Sequence, residues 1–96
     1  MNAVEAPVRK SKSQTREKIA EPWQVVVLDD PVNLMEYVSR TLIRIFGSSR
    51  EKADALMMDV HIKGKAIVWS GGREKAEMYV NQLHSAQLHA TLEKTK

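Results

Sequence analysis

Acidic and amide side chains are concentrated in the segment Asp29-Asp30-Pro31-Val32-Asn33, directly after a short apolar run. Carboxylate and amide oxygens accept hydrogen bonds, so several of them at one mouth suit a bound ammonium group and repel an anion. Asp and Asn are also frequent in turns for structural reasons, because their side chains bond to the nearby backbone. Two interpretations therefore stay open, a cation-accepting rim and an ordinary turn.

His61 is the second candidate, because it joins the apolar stripe of a predicted helix beside Val60 and one helical turn after Met57. A single histidine on such a stripe is more often a satisfied core residue than a ligand. Flexible methionines nearby, Met57 and Met35, favour the other interpretation. They predict a pocket with an apolar floor and a polar lip, as small-ligand sites usually have.

Metal and acid-base chemistry fit the sequence poorly. The three histidines, His61, His84 and His89, are separated by 23 and 5 residues, which suits no helical ligand pair, and the chain has no cysteine. Acid-base catalysis would need Asp29 and Asp30 aimed at one substrate from opposite sides, whereas neighbouring residues usually point apart, and no nucleophile or Gly-rich phosphate loop accompanies them. We therefore expect a protein that is not an enzyme and has no catalytic residue, metal or cofactor.

Length and composition limit the protein to one small domain, because the chain has 96 residues, 43% of them hydrophobic. No signal-peptide pattern begins the chain, and no apolar run approaches the roughly 18 residues of a membrane span. We expect a cytoplasmic protein with no membrane partner.

Positive charge is concentrated at the beginning of the chain, where residues 1–21 carry five Lys or Arg and three Glu. These residues lack apolar periodicity and are predicted to form a flexible N-terminal extension. A basic arm leaves an alternative open, a nucleic-acid-binding module, which would need exposed aromatic side chains on its sheet. Only Trp23 and Trp69 could serve, and both are expected to be buried.

The apolar pattern predicts six elements. A strand covers 23–28, and a helix follows over 34–46, with Asn33 and Glu36 as a capping box and with Met35, Val38, Leu42 and Phe46 on its buried face. A second helix begins after Ser48, with Glu51 three residues later, and ends near Gly64. The remaining predicted elements are a strand at 65–70, a turn at Gly71-Gly72, a helix over 73–86 and a strand over 88–92.

This order predicts an α+β fold, a two-layer βααβαβ domain with a small antiparallel sheet and helices packed on one face. The predicted domain covers residues 22–96.

Five short motifs occur in the order found in the ClpS family of adaptors for Clp AAA+ proteases. The likeness extends from about Trp23 to Lys94. The matching segments are Val25-Val26-Val27-Leu28-Asp29-Asp30, Met35-Glu36-Tyr37-Val38, Ala55-Leu56-Met57-Met58-Asp59-Val60-His61, Gly64-Lys65-Ala66 and Thr91-Leu92-Glu93-Lys94.

The resemblance implies a monomeric adaptor in the N-end rule pathway, without cofactor or nucleic acid. Such an adaptor binds N-degrons, which are substrates that begin with Leu, Phe, Tyr or Trp. It delivers them to a hexameric ClpA- or ClpC-type unfoldase for degradation by the Clp protease.

The resemblance also implies roles for individual residues. Asp30 and His61 would bind the substrate's α-amino group, together with Asp29, which stands where most members have Asn, and Asn33, which stands where they have Thr. Glu74 would contact the unfoldase, although Tyr79 replaces a Lys of that surface. The residues implied to line the side-chain pocket are Met35, Val38, Met57, Val60 and Leu88.

Overall fold

A computed structural model of the protein describes residues 22–95, and the predicted extension at 1–21 lies outside them. Three strands and three helices follow one another in the order βααβαβ, with the strands in one antiparallel sheet, so the predicted fold class is confirmed. The elements are β1 (Trp23–Leu28), α1 (Met35–Phe46), α2 (Arg50–Lys63), β2 (Lys65–Gly71), α3 (Arg73–Ser85) and β3 (His89–Lys94).

The first strand is the middle strand of the sheet, with β2 on one side and β3 on the other. Both pairings are antiparallel, and Val26 lies between Ile67 and Thr91. Three consecutive valines of this central strand, Val25 to Val27, are all at most 1% exposed.

The core forms where all three helices meet one face of this sheet. Val25 and Val27 point to the same face, because side chains alternate along a strand, and both belong to one cluster with residues of every helix. Leu42 of α1, Ala53 of α2 and Leu83 of α3 are completely buried in it. No helix among residues 22–95 is long and apolar enough to cross a membrane.

The start of α1 differs from the predicted capping box. The helix begins at Met35, the N-cap residue is Leu34, and no side chain caps it. The amide of Asn33 instead donates from Nδ2 to the backbone oxygen of Gln87 at 3.0 Å. The prediction was wrong because Asn33 has a hydrogen-bond partner that is distant in sequence.

The predicted buried face of α1 is only partly correct. Val38 and Leu42 are buried, whereas Phe46 is half-buried against Tyr79 and Met35 is 40% exposed. Met35 was wrongly placed in the core because it begins the helix at the edge of a cavity.

The second helix begins one residue later than predicted. Ser49, and not Ser48, is its N-cap, and its hydroxyl accepts a hydrogen bond from the backbone nitrogen of Lys52 at 3.1 Å. Two adjacent serines offer two capping registers, and local pattern alone does not separate them. The predicted end is confirmed, because Gly64 caps the helix in the left-handed conformation with φ 91°.

Four further boundaries differ from the prediction by one or two residues. Gly71 is the last residue of β2, so the predicted turn at Gly71-Gly72 is wrong at its first position. Helix α3 ends at Ser85, and β3 begins at His89 and continues to Lys94. Leu88 therefore lies in the loop before β3.

Candidate functional site

A cavity of about 370 Å³ opens where the end of β1, the start of α1 and the end of α2 meet the loop before β3. The structure brings all nine residues that the sequence assigned to substrate binding into its lining, although their roles remain predictions. They are Asp29, Asp30, Asn33, Met35, Val38, Met57, Val60, His61 and Leu88.

Apolar side chains from different elements form the deep part of the cavity. Val38 of α1 is 8% exposed, and Val60 of α2 and Leu88 of the loop before β3 are each 4% exposed. Val27 of β1 completes this floor. Met57 is half-buried beside them. An apolar side chain that entered would remove its surface from water, at roughly 25 cal/mol per Å².

The acidic turn between β1 and α1 is held by backbone hydrogen bonds. The nitrogen of Asp29 donates to the oxygen of Gly64 at 2.9 Å, which ties the turn to the end of α2. Within the turn, Oδ1 of Asp30 accepts from the nitrogen of Val32 at 2.9 Å. Asp30 keeps its second carboxylate oxygen for another donor, and the Asp29 side chain is exposed. The turn is therefore held in shape by its own hydrogen bonds and still has carboxylate oxygens that can accept hydrogen bonds from a ligand.

His61 lies on the last turn of α2 and lines the cavity with an exposed side chain. Val60, its neighbour, is buried, so the helix turns from the floor to the rim between these two residues. A neutral imidazole has one donor and one acceptor nitrogen. His61 can therefore offer an acceptor at the mouth without adding a charge.

Two hydrogen bonds tie the α1 side of the cavity to the loop before β3. Besides Asn33, Tyr37 contributes a bond, from its hydroxyl to the backbone oxygen of Ala86 at 2.6 Å. Local sequence patterns do not predict this contact, because Tyr37 and Ala86 are 49 positions apart.

Four residues that line the cavity were not predicted to do so: Val27, Leu28, Pro31 and Leu34. Leu34 is 75% exposed at the mouth. Its position next to Met35 was the signal that could have identified it. The apolar pattern instead predicts Leu34 as the first residue of the helix.

The acidic residue in the first turn of α1 is not part of the cavity rim. Glu36 does not line it and pairs with Arg50 of α2. The hydrogen bond from the Arg50 guanidinium lowers the pKa of Glu36 below its ordinary value. The carboxylates at the rim are therefore those of Asp29 and Asp30.

Glu74 lies apart from the cavity, in the first turn of α3. It is exposed and lines a separate groove with Arg44 and Ile45 of α1. Tyr79 is half-buried and packs against Phe46 and Trp69, with ring centroids 4.6 Å and 5.0 Å away. The aromatic ring that replaces the family's Lys therefore contributes to packing. Among residues 22–95, no group of three or more His, Cys, Asp or Glu could hold a metal ion.

Comparison with known proteins identifies relatives of this chain. A family model described as ATP-dependent Clp protease adaptor protein ClpS matches residues 18–93. The chain is 54% identical over 72 residues to the Clp protease adapter protein ClpS of Rhodococcus jostii strain RHA1, a match that covers 75% of this chain and 64% of the relative. It is 43% identical over 89 residues to that of Mycobacterium marinum, covering 93% and 88%.

A solved structure shares the fold. It is Agrobacterium tumefaciens ClpS2 bound to L-phenylalaninamide, with a TM-score of 0.73 and 25% identity, and the match covers 78% of this chain and 98% of that chain.

These matches define a small α+β domain of the adaptor type. The chain belongs to the ClpS family of ATP-dependent Clp protease adaptors, which confirms the resemblance stated from its motifs. It spans less than two thirds of the length of two Rhodococcus relatives, 64% of one and 65% of the other.

Proposed function

We propose that this protein is a non-enzymatic adaptor that binds the N-terminal residue of its substrates and delivers them to a Clp unfoldase. The observation that supports it best is the cavity itself, in which an apolar floor and an acceptor-rich rim occur together. A free N-terminal Leu, Phe, Tyr or Trp has the matching parts, an apolar side chain and an ammonium group. The ClpS2 neighbour was solved with a ligand of this chemistry, L-phenylalaninamide.

In this proposal the rim residues Asp29, Asp30, Asn33 and His61 accept hydrogen bonds from the ammonium group. The floor and Met35 enclose the side chain. Burial of a Leu or Phe side chain contributes roughly 1.5 to 3 kcal/mol, and each hydrogen bond to a charged group adds roughly 1.5 to 3 kcal/mol. One anchor residue and two or three such bonds contribute roughly 4.5 to 12 kcal/mol before the costs of association. Micromolar affinity, about 8 kcal/mol, lies within this range only when those costs are small.

Delivery is the second part of the proposal. Glu74 would contact a hexameric ClpA- or ClpC-type unfoldase, with one adaptor chain acting as a monomer. The surface around Glu74 lies on α3, outside the cavity lining, so the adaptor can hold a substrate and an unfoldase at the same time.

A nucleic-acid-binding module was the alternative, and it required exposed Trp23 and Trp69. Both indoles are half-buried. Trp69 packs against Tyr79, and the guanidinium of Arg73 lies 5.1 Å from the centre of the Trp23 ring. These contacts favour the adaptor.

The decisive experiment is fluorescence anisotropy with two labelled peptides that both begin with Phe, one with a free and one with an acetylated N-terminus. We expect only the free peptide to bind, because acetylation removes the charge and the donors. Asp30→Asn and His61→Ala should weaken binding at least tenfold. The controls Asp59→Asn and His89→Ala change the same residue types outside the cavity lining and should leave it unchanged. Equal binding of both peptides would contradict the proposal.

Delivery is tested with Glu74→Lys in a degradation assay with a ClpA- or ClpC-type unfoldase and the Clp protease. We expect this variant to bind the Phe peptide normally and to lose delivery. Glu51→Lys is the matched control, since Glu51 occupies the same first-turn position in α2. Normal delivery by Glu74→Lys would exclude Glu74 as a necessary contact.

A further inference from the structure

We propose that Asn33 and Tyr37 form a hydrogen-bonded clamp that fixes Leu88 relative to α1 and so sets the size of side chain that the pocket admits. This inference rests on the proposed function. The two donors bind consecutive carbonyl oxygens: Tyr37 Oη lies 2.6 Å from the oxygen of Ala86, and Asn33 Nδ2 lies 3.0 Å from that of Gln87.

The clamped loop has an unusual backbone. Gln87 is the only non-glycine residue within 22–95 with a positive φ, 70°, and a side chain at that angle crowds the following carbonyl. Its nitrogen donates to the oxygen of His84, and the nitrogen of Leu88 donates to that of Leu83, both at 2.9 Å. The loop's N–H groups are therefore bound to α3, while its carbonyl groups are bound by the α1 side.

This arrangement joins two walls of the cavity. Asn33 and Tyr37 lie two residues before and two residues after Met35, which lines the cavity from α1. Leu88, the next residue after the clamped carbonyls, lines it from the loop before β3 and is 4% exposed. Because hydrogen bonds hold the loop that carries Leu88 from both sides, Leu88 can move outward only if one of these bonds breaks. A larger side chain is therefore admitted only at the cost of a hydrogen bond.

The clamp also gives Asn33 a defined orientation. Because Nδ2 donates to a carbonyl oxygen, Oδ1 is the end of the amide that remains for an ammonium donor. Asn33 is therefore a positioning residue for Leu88 and, through Oδ1, a member of the rim.

The test is a series of free N-terminal peptides that differ only in the first residue, Leu, Phe or Trp, bound to the wild type and to Tyr37→Phe. This substitution removes only the hydroxyl. We expect the affinity for Trp relative to Leu to rise about threefold to tenfold, the change that one hydrogen bond permits. Tyr79→Phe, which removes the hydroxyl from a tyrosine in the aromatic cluster with Phe46 and Trp69, is the matched control and should leave the ratio unchanged.

Two further variants separate the clamp from a general effect on stability. Asn33→Asp keeps an acceptor but cannot donate to Gln87, so it should shift the Trp to Leu ratio in the same direction. Gln87→Gly removes the strain of the positive φ, because glycine adopts it easily. The loop should then depend less on the clamp, so we expect Tyr37→Phe to change the Trp to Leu affinity ratio less in the Gln87→Gly variant than in the wild type. If binding of all three peptides weakened equally, or if the Trp to Leu affinity ratio stayed unchanged, the proposed clamp would be wrong.

Amide hydrogen exchange tests the clamp without any peptide. We expect Tyr37→Phe to speed exchange at Gln87 and Leu88 at least threefold and to leave the amides of β1 unchanged. Unchanged exchange at both residues would overturn the clamp even if the wild type bound the peptides normally. If the wild type bound no free peptide, the proposed function would be wrong, and so would the role of the clamp in selectivity. Faster exchange in Tyr37→Phe would in that case still show that the clamp holds the loop.

Discussion

The hydroxyl of Ser39 donates to Oδ1 of Asp54 at 2.7 Å and joins α1 to α2 from a completely buried position. Arg50 extends this contact, since Nε lies 3.3 Å from Oδ2 of Asp54 and the guanidinium also pairs with Glu36. These two helices carry five of the lining residues, Met35 and Val38 on α1 and Met57, Val60 and His61 on α2.

Removal of the Ser39 hydroxyl should destabilise the protein. Ser39→Ala leaves a carboxylate oxygen of Asp54 without its buried donor, and we expect the free energy of unfolding to fall by about 1 to 2 kcal/mol in urea denaturation. Ser85→Ala is the control, because it replaces the same residue type at an exposed position of α3. It should change the free energy of unfolding by less than about 0.5 kcal/mol. Equal effects would contradict the role of the Ser39 to Asp54 bond.

Gly71 is required by its neighbour Trp69. An added Cβ at Gly71 would clash with the indole, lying 2.8 Å from Cζ2, and the ring is packed against Tyr79. Gly71→Ala should therefore cost about 1 to 3 kcal/mol and shift the tryptophan fluorescence. Gly72→Ser is the control, because a Cβ there meets nothing within 4 Å and serine is a good N-cap for α3. Unchanged stability of Gly71→Ala would show that the indole moves freely.

The ion pair of Glu36 and Arg50 should make stability depend on acidic pH. The hydrogen bond from Arg50 lowers the folded-state pKa of Glu36 below the ordinary value of 4.5. The pair therefore contributes fully above that value, and its contribution disappears as the pH falls through the folded-state pKa. Between pH 7 and pH 3, Glu36→Gln should lose less stability than the wild type in urea titrations.

Glu51→Gln is the matched control for this pH effect, because Glu51 has the same first-turn position in α2. It should retain the wild-type dependence on pH. If Glu36→Gln and the wild type lost stability in parallel, the pair would contribute nothing measurable.

Met35 should control which side chains enter the cavity. It lines the cavity at the start of α1 and is 40% exposed, so Met35→Ala would widen the mouth. We expect this variant to bind peptides that begin with the β-branched residues Ile or Val, which the wild type should reject. Met58→Ala removes an equally exposed methionine from outside the cavity lining and should keep the wild-type preference. If Met35→Ala still failed to bind peptides that begin with Ile or Val, another residue would be responsible for excluding β-branched side chains.

Residues 1–21 should serve delivery and not recognition. Among the described residues 22–95, those that line the cavity all lie within 27–88, and we therefore expect deletion of 1–20 to leave the affinity for a Phe peptide unchanged. We further propose that the unfoldase engages this segment during delivery, so degradation of the bound substrate should stop in the deletion variant. Loss of peptide binding in the deletion variant would show that the segment also contributes to recognition.

Local patterns in the sequence were sufficient for the order of elements. The valine run predicts β1, and Gly47 and Gly64 end α1 and α2 in the left-handed conformation that glycine adopts easily. The motifs shared with the ClpS family also predict nine of the residues that line the cavity, and the fold brings them together.

The contacts between distant residues were decided only by the tertiary structure. Asn33 has the sequence signature of a cap, yet its amide binds Gln87, 54 positions away, because the fold places that carbonyl oxygen within reach. Met35 fits a buried helical face, yet the cavity leaves it exposed. The sequence by itself thus determined which elements form and which residues could meet a ligand. The packing of α1 against the loop before β3 decided how these residues are held in place. Local periodicity and capping preference could not predict that packing, because it depends on residues that are far apart in the sequence.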